Sequence, residues 1–359
     1  MQPMSRDIQR TAAVWSAYEP QIASEFFGFP PLRRYLISTA FGEEAAEEHA
    51  GNRWWAEDIV ADRYLMGRDV SSVLSLCCGF GAIEQHMVPY LGSVKHCLAL
   101  DIAEGAVSEA ARRAQVAGLD QVISYQAADL NTYDWPSPTY DLVIANGALH
   151  HLAELERVLD GVKRSLKPGG ILYTNEHIGV SHRDFSSRQL ELINGAAYVV
   201  PPELRRRRPV RSNPFVQPRL RRFADLFLGN LNLDGEHPRW SGRKRALARI
   251  LRWVSLPPRR GLGPLVLSQK RATLGKDPSE GVSSERIVPA ITERFGQVRV
   301  HPYGGALLAY ALDPAFYEGF RGEDPRHARI LRDLCSLEAS LVDIGELPHE
   351  HAIIIATAS

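Results

Sequence analysis

A change of period at residue 72 constrains what this chain can fold into more than any other feature. From there, short runs of β-forming residues alternate with helical segments for about a hundred residues. Strands are expected at 72–77, 95–101, 122–129, 140–146 and 171–177, and helices at 81–91, 106–118 and 151–166. Lys167-Pro168-Gly169-Gly170 stops the last of these helices. Strands separated by helices of ~10–15 residues imply parallel βαβ units in an α/β, doubly wound sheet. Right-handed crossovers then bring ligands to the carboxyl ends of the strands, near the reversal of strand order.

The flanks read differently. Residues 1–70 place apolar and aromatic residues at irregular helical spacing (Trp15, Tyr18, Phe26, Phe27, Trp54, Trp55, Ile59) and are expected to be helical. Over 178–282 the alternation lapses among prolines and arginines; it returns as a helix at 283–295, a strand at 297–304, a helix near 324–343 and a strand at 351–358. The stretch 178–282 is thus an insertion ahead of the sheet's last strands. A formal charge of zero conceals this division. Residues 201–276 hold 19 Lys and Arg against 4 Asp and Glu, and the remainder holds 23 against 38.

With 45% hydrophobic and 23% charged residues, the 359-residue chain is neither disordered nor collagenous. No apolar run approaches the ~18 residues of a membrane helix. The first fifteen residues show no apolar signal core, and the four cysteines form no CxxC pair. A reduced, cytoplasmic protein is expected.

Cys78-Gly79-Phe80-Gly81 falls where the first strand turns into its helix, so glycine lets the backbone approach a ligand at a helix start. Asp101 closes the second strand 22 residues after Gly79, where a carboxylate can accept both hydroxyls of a ribose. The dinucleotide fingerprint needs a third glycine at position 84, and Glu84 stands there, which counts against a nicotinamide cofactor.

These blocks, VLSLCCGFG (73–81), LALDIAEGAV (98–107), AADL (127–130), YDLVIANGALHHL (140–152) and LKPGGILY (166–173), resemble the class I S-adenosylmethionine-dependent methyltransferases, in particular the small-molecule, UbiE-like type. The resemblance implies a seven-stranded, mostly parallel Rossmann-like sheet. It would comprise a helical cap (1–70), a cofactor-binding core (71–177), a basic lid or substrate insertion (178–282) and a segment completing the sheet (283–359). It also implies S-adenosylmethionine as cofactor. Cys78, Gly79 and Gly81 would pass under its methionyl part, Asp101 would hold the ribose with Ile102 against the adenine, and Asp129 with Leu130 would address the adenine amino group. Asn146 and Gly147 would line the point of methyl delivery. Two departures stand out: Ser75 replaces the family's usual acid and Cys77 its glycine. Glu84 is the candidate to replace the missing acid.

His150 and His151 at the mouth of the fourth strand, and Glu176 and His177 at the end of the fifth, are the candidate catalytic residues, with a histidine as general base for O-methylation. No metal is expected, because Gly147 and His150 stand where metal-dependent relatives carry glutamates, and His349-Glu350-His351 leads into a strand. Neither a proline-rich amino-methylation element nor a Pro-Cys nucleophile is present, so nucleic acid is a disfavoured partner.

A segment at 185–200 is expected as a helix overhanging the pocket. Beyond it lie Arg205 to Arg208 and an amphipathic stretch, 243–256, with Leu247, Ile250, Leu251 and Val254 on one face. That stretch suits a lid on the acidic body, a peripheral contact with an anionic membrane at its inner face, or a polyanion site. The expected acceptor is a small molecule, of saccharide type. The rival readings are a non-catalytic binding protein that holds an anionic partner on the insert, and an RNA methyltransferase. Oligomeric state is left open.

Overall fold

The computed structural model describes residues 6–16, 30–201, 277–305, 307–312 and 324–359. Its centre is a seven-stranded sheet: β1 (Ser72–Leu76), β2 (His96–Asp101), β3 (Ile123–Ala127), β4 (Tyr140–Ile144), β5 (Leu166–His177), β6 (Gln297–Tyr303) and β7 (His351–Thr357). The order is β3-β2-β1-β4-β5-β7-β6. The first five strands pair in parallel, and β7 runs antiparallel to both β5 and β6. The sheet is therefore doubly wound and mostly parallel, with its order reversing between β1 and β4. A ligand crevice forms at such a reversal, because the loops leaving the two strands diverge to opposite faces.

Alternation along the strands sorts the core into two layers. Val73, Leu142, Ile144 and Ile353 belong to one buried cluster; Leu74, Leu76, Val143 and Ile354 belong to the other. The first cluster is covered from the N-terminal side of the chain. Leu32, Leu36 and Ile37 of α2 (Pro30–Phe41) and Trp55 and Ile59 of α4 (Trp55–Val60) are buried in it. Between them lies α3 (Glu43–His49), and α1 (Arg6–Ser16) precedes all three. The expected N-terminal cap thus shares the core of the sheet.

The crossover helices are α5 (Ala82–Leu91), α6 (Glu104–Val116) and α7 (Leu155–Ser165). In α7, Leu155, Val158, Leu159 and Val162 recur at i, i+3, i+4 and i+7, and all are buried in the second cluster. The sequence places this helix at 151–166; it starts four residues later because Leu149–His151 form a separate 3-10 turn and Leu152 is extended. The strand after it begins at Leu166 rather than 171. Gly169 donates to the Ala358 carbonyl and Ala358 to that of Gly170, so the glycines are already in the sheet.

Of the insertion, α8 (Ser187–Val199) is described. Ser186 caps it through a reciprocal bond with Gln189, and Ile193, Ala196 and Ala197 are buried in the first cluster. The chain continues in α9 (Ile287–Arg294), the short α10 (Leu308–Ala311) and α11 (Pro325–Asp343). On α11, the fully buried Glu338 accepts from the amides of Gly305, Leu307 and Leu308 and from the Tyr35 hydroxyl, tying α10 and α2 to one carboxylate. The arginines 205–208 and the amphipathic stretch 243–256 lie outside the described residues.

Candidate active site

The loop after β1 is shaped by backbone that most residues avoid. Cys77 has φ 50°, Gly79 53° and Gly81 75°. At Gly81 a side chain is excluded twice, because a Cβ would also lie 2.4 Å from the Tyr125 hydroxyl. Cys77 takes the left-handed conformation without glycine's freedom, at a cost of ~1–2 kcal/mol. Burial pushes the thiols of Cys77 and Cys78 upward, which disfavours the nucleophilic thiolate at both.

Asp101, 7% exposed at the end of β2, fixes this loop. Its Oδ2 accepts from the Gly79 amide at 2.9 Å and its Oδ1 from the Ala103 amide at 2.8 Å. Burial raises its pKa although these bonds oppose the shift. Each oxygen retains a lone pair, and two lone pairs at a strand's carboxyl end match the vicinal hydroxyls of a ribose. A Cβ built at Gly79 or at Gly147 (φ 61°) meets no described atom within 4 Å. An acceptor pair at the end of β2 and open space over both glycines fit the size and polarity of a nucleoside bearing an amino acid chain.

Glu84 is drawn underneath the loop. It is 1% exposed, accepts from the Ser75 hydroxyl with Oε1, and has a buried Oε2 with no partner among the described residues. Burial lifts its pKa to about 7. A buried acid from α5 thus stands against Ser75 of β1.

Ile102 is half-buried beyond β2, and Leu130 is buried. Asp129 uses Oδ1 to accept from the amide and side chain of Asn131, which orders the loop after β3. Beyond β4, Asn146 accepts from the Asn175 amide and donates to Glu57 Oε1 at 3.0 Å. Glu57 comes from α4, is 8% exposed, and is raised by burial to about 7. Tyr303, at the end of β6, is buried and donates to Asn175 Oδ1 at 2.7 Å.

The four candidate catalytic residues converge at the carboxyl ends of β4 and β5. Glu176 Oε1 accepts from the amides of Ala148 and Leu149, both at 2.7 Å, and its Oε2 lies 2.6 Å from His150 Nδ1. A carboxylate bonded this way is an acceptor, so His150 carries its proton on Nδ1. His151 Nδ1 lies 2.9 Å from Ser279 Oγ. That hydroxyl donates its single proton to Asp277 Oδ1 at 2.7 Å, so it must accept from His151. Both imidazoles are thereby set as the Nδ1–H tautomer with Nε2 free of those partners. Burial lowers the pKa of His151, with His150 adding to the effect. At His150 burial acts downward too, but the Glu176 carboxylate outweighs it and the pKa rises. His177 is placed differently: Nε2 meets Glu350 at 2.9 Å and Nδ1 meets Ser284 at 3.1 Å, so both nitrogens are engaged.

Sequence reasoning missed the residues that surround these histidines. Asp277, Ser279 and Glu280 arrive from the far end of the insertion. Trp15 of α1 donates to Asp277 Oδ2 at 2.9 Å and sets its ring edge against His151, with centroids 5.4 Å apart. Glu57 was missed as well. The only available signal was the density of acids near 277–285, which has no spacing that ties it to residue 150.

Residues 73–170 match the family model described as a methyltransferase domain. The chain is 33% identical over 99 residues to the sterol 24-C-methyltransferase ERG6B of Gibberella zeae, covering 28% of this chain and 26% of that one. It is 26% identical to the demethylmenaquinone methyltransferase of Symbiobacterium thermophilum over 32% of this chain and 45% of the relative. With the malonyl-[acyl-carrier protein] O-methyltransferase of Enterobacter lignolyticus it shares 29% identity, over 40% and 54%. The chain thus spans between about a quarter and just over half of the length of these relatives. Among solved structures, an S-adenosylmethionine-dependent methyltransferase from Mesorhizobium loti is 27% identical over 34% of this chain and 54% of its own, with a TM-score of 0.29.

Proposed function

Residues 73–170 are a class I, S-adenosylmethionine-dependent methyltransferase domain, and on that premise we propose that the whole chain transfers a methyl group to a hydroxyl of a small-molecule acceptor. The observation that carries this reading is the fixed tautomer of His151, whose Nε2 lone pair lies at the carboxyl ends of β4 and β5. The bound cofactor supplies an electrophilic methyl carbon on a sulfonium.

The chain's own residues do the rest. Asp101 would hold the ribose hydroxyls, Gly79 would leave room for the cofactor's amino acid arm, and Gly147 would leave room at the point of methyl delivery. Asn146, clamped between Glu57 and the Asn175 amide, borders the place of transfer. His151 Nε2 would take the acceptor hydroxyl's proton as the methyl group leaves the sulfonium sulfur for that oxygen, and Ser279 with Asp277 would steady the imidazolium. A positioned base of this kind contributes roughly 10²–10⁴-fold. Glu176 holds His150 and the turn on which both histidines ride. The basic stretch 201–276 favours acceptors that bear phosphate or another anion, so phosphorylated saccharides come first in a screen.

Calorimetric titration with S-adenosylmethionine and S-adenosylhomocysteine, followed by a hydroxyl-acceptor screen, tests this. Micromolar binding that Asp101→Ala removes supports the reading. Failure to bind either ligand would sink it and leave the basic segment as the place to seek a function.

A further inference from the structure

The sequence argues against a metal, yet the fold assembles a set of ligands that no spacing foreshadows. Ligand atoms of His150, His151 and Glu280 lie within 4.8 Å of one another, and His151 Nε2 is 3.8 Å from Glu280 Oε2. We propose that these three residues bind a divalent first-row transition-metal ion, with Zn2+ the best chemical match.

Three features support this beyond proximity. First, both imidazoles donate Nδ1–H outward, His150 to Glu176 and His151 to Ser279. Metal-bound histidines almost always have such an outer partner, since it fixes the tautomer and turns Nε2 to the ion. Second, Arg183 Nη2 holds Glu280 Oε1 at 2.9 Å, which orients the carboxylate with Oε2 towards His151. Third, the charges balance. Around the two rings stand the carboxylates of Glu176, Glu280 and Asp277 against the guanidinium of Arg183, leaving two negative charges for a divalent ion to meet.

Two nitrogens and one carboxylate suit zinc and leave one of its four positions open. The Glu280 side chain keeps 20% of its exposure and that of His151 13%, so an ion and a further oxygen ligand can enter from that side. Ligation and proton acceptance draw on the same His151 lone pair. In the loaded chain an acceptor oxygen would therefore meet the ion where it otherwise meets the imidazole. The metal site stands on the side chains alone and does not require that methyl transfer occur.

The test uses the full chain, stripped with chelator, reloaded with Zn2+ or Co2+, desalted and analysed for metal. One ion per chain is expected, with the visible absorption of four-coordinate Co2+. Glu280→Gln and His151→Gln should lose the ion, and Ser279→Ala should weaken it 10–100-fold as an outer-shell change. His96→Ala, an exposed residue at the opposite end of β2, should bind like the parent. Circular dichroism checks that each variant is folded. Metal retained equally by parent and Glu280→Gln, or retained by neither, overturns the proposal. S-adenosylmethionine binding is measured on the same samples. Cofactor binding without zinc overturns only the metal site; zinc without cofactor supports the metal site and rejects the methyltransferase reading.

Discussion

Glu176 grips His150 with one carboxylate oxygen, Oε2 to Nδ1 at 2.6 Å, and with the other it grips the turn on which His150 stands. One side chain from β5 therefore sets both the tautomer and the position of a residue that follows β4. Neighbouring parallel strands place their carboxyl ends side by side, which is why residues 26 apart in sequence meet here. The same turn carries His151, so the two rings stand side by side with centroids 4.1 Å apart.

Replacing Glu176 by Gln keeps an oxygen for the Ala148 and Leu149 amides but turns an N–H towards His150. The ring must then change tautomer or lose the bond. Turnover should fall ~10²–10⁴-fold while cofactor affinity stays within about threefold of the parent. Imidazole 15N chemical shifts report the tautomer directly. An unchanged spectrum together with unchanged turnover would remove Glu176 from the site.

Asp101→Asn should weaken S-adenosylhomocysteine binding about 10–100-fold. One oxygen becomes a donor facing either the Gly79 amide or the ligand hydroxyl, and a charge-assisted bond worth ~1.5–3 kcal/mol is lost. Calorimetry measures it, and an affinity equal to the parent's would contradict the assignment.

Glu57 makes stability depend on pH in a defined direction. Burial raises its pKa from 4.5 to about 7, so the folded chain keeps a proton that the unfolded chain releases between those values. Stability should fall as pH rises through that window, with the penalty complete above about pH 7. Glu57→Gln retains acceptors for Asn146 and Tyr173 and should stabilise the protein by on the order of 3 kcal/mol at pH 8. The gain should vanish by about pH 4. Urea unfolding at the two pH values checks both the size and the sign.

Gly161→Ala tests the packing of α7. A Cβ there would lie 2.3 Å from the Trp135 ring, whose position is set by the second core cluster. Overpacking of this kind costs ~1–3 kcal/mol. A fall in denaturation midpoint with an unchanged slope is the expected result, and a gain in stability would show that the ring is free to yield.

The strands of the sheet, the glycine turn and the place of Asp101 at the end of β2 were legible because each is a local property. Period-two apolar runs, helix stops at glycine, and an acid at a strand's end are written within a few residues of one another. The positions of His150, His151 and Glu176 at strand mouths followed from the same reading. Their roles did not.

Which imidazole nitrogen is protonated depends on Ser279 and Asp277, which lie 128 and 126 residues further along the chain from His151. Glu84 meets the Ser75 hydroxyl because α5 packs over β1, a pairing that no local pattern announces. Likewise, Glu57 reaches Asn146 because α4 closes over the first core layer. The metal-ligand set likewise joins a turn after β4 to the end of an insertion. Local sequence dictates backbone path and burial pattern through short-range sterics and hydrophobicity. Hydrogen-bond partners and proton placement among buried polar groups are decided by packing between segments distant in sequence, because only there does each donor meet its acceptor.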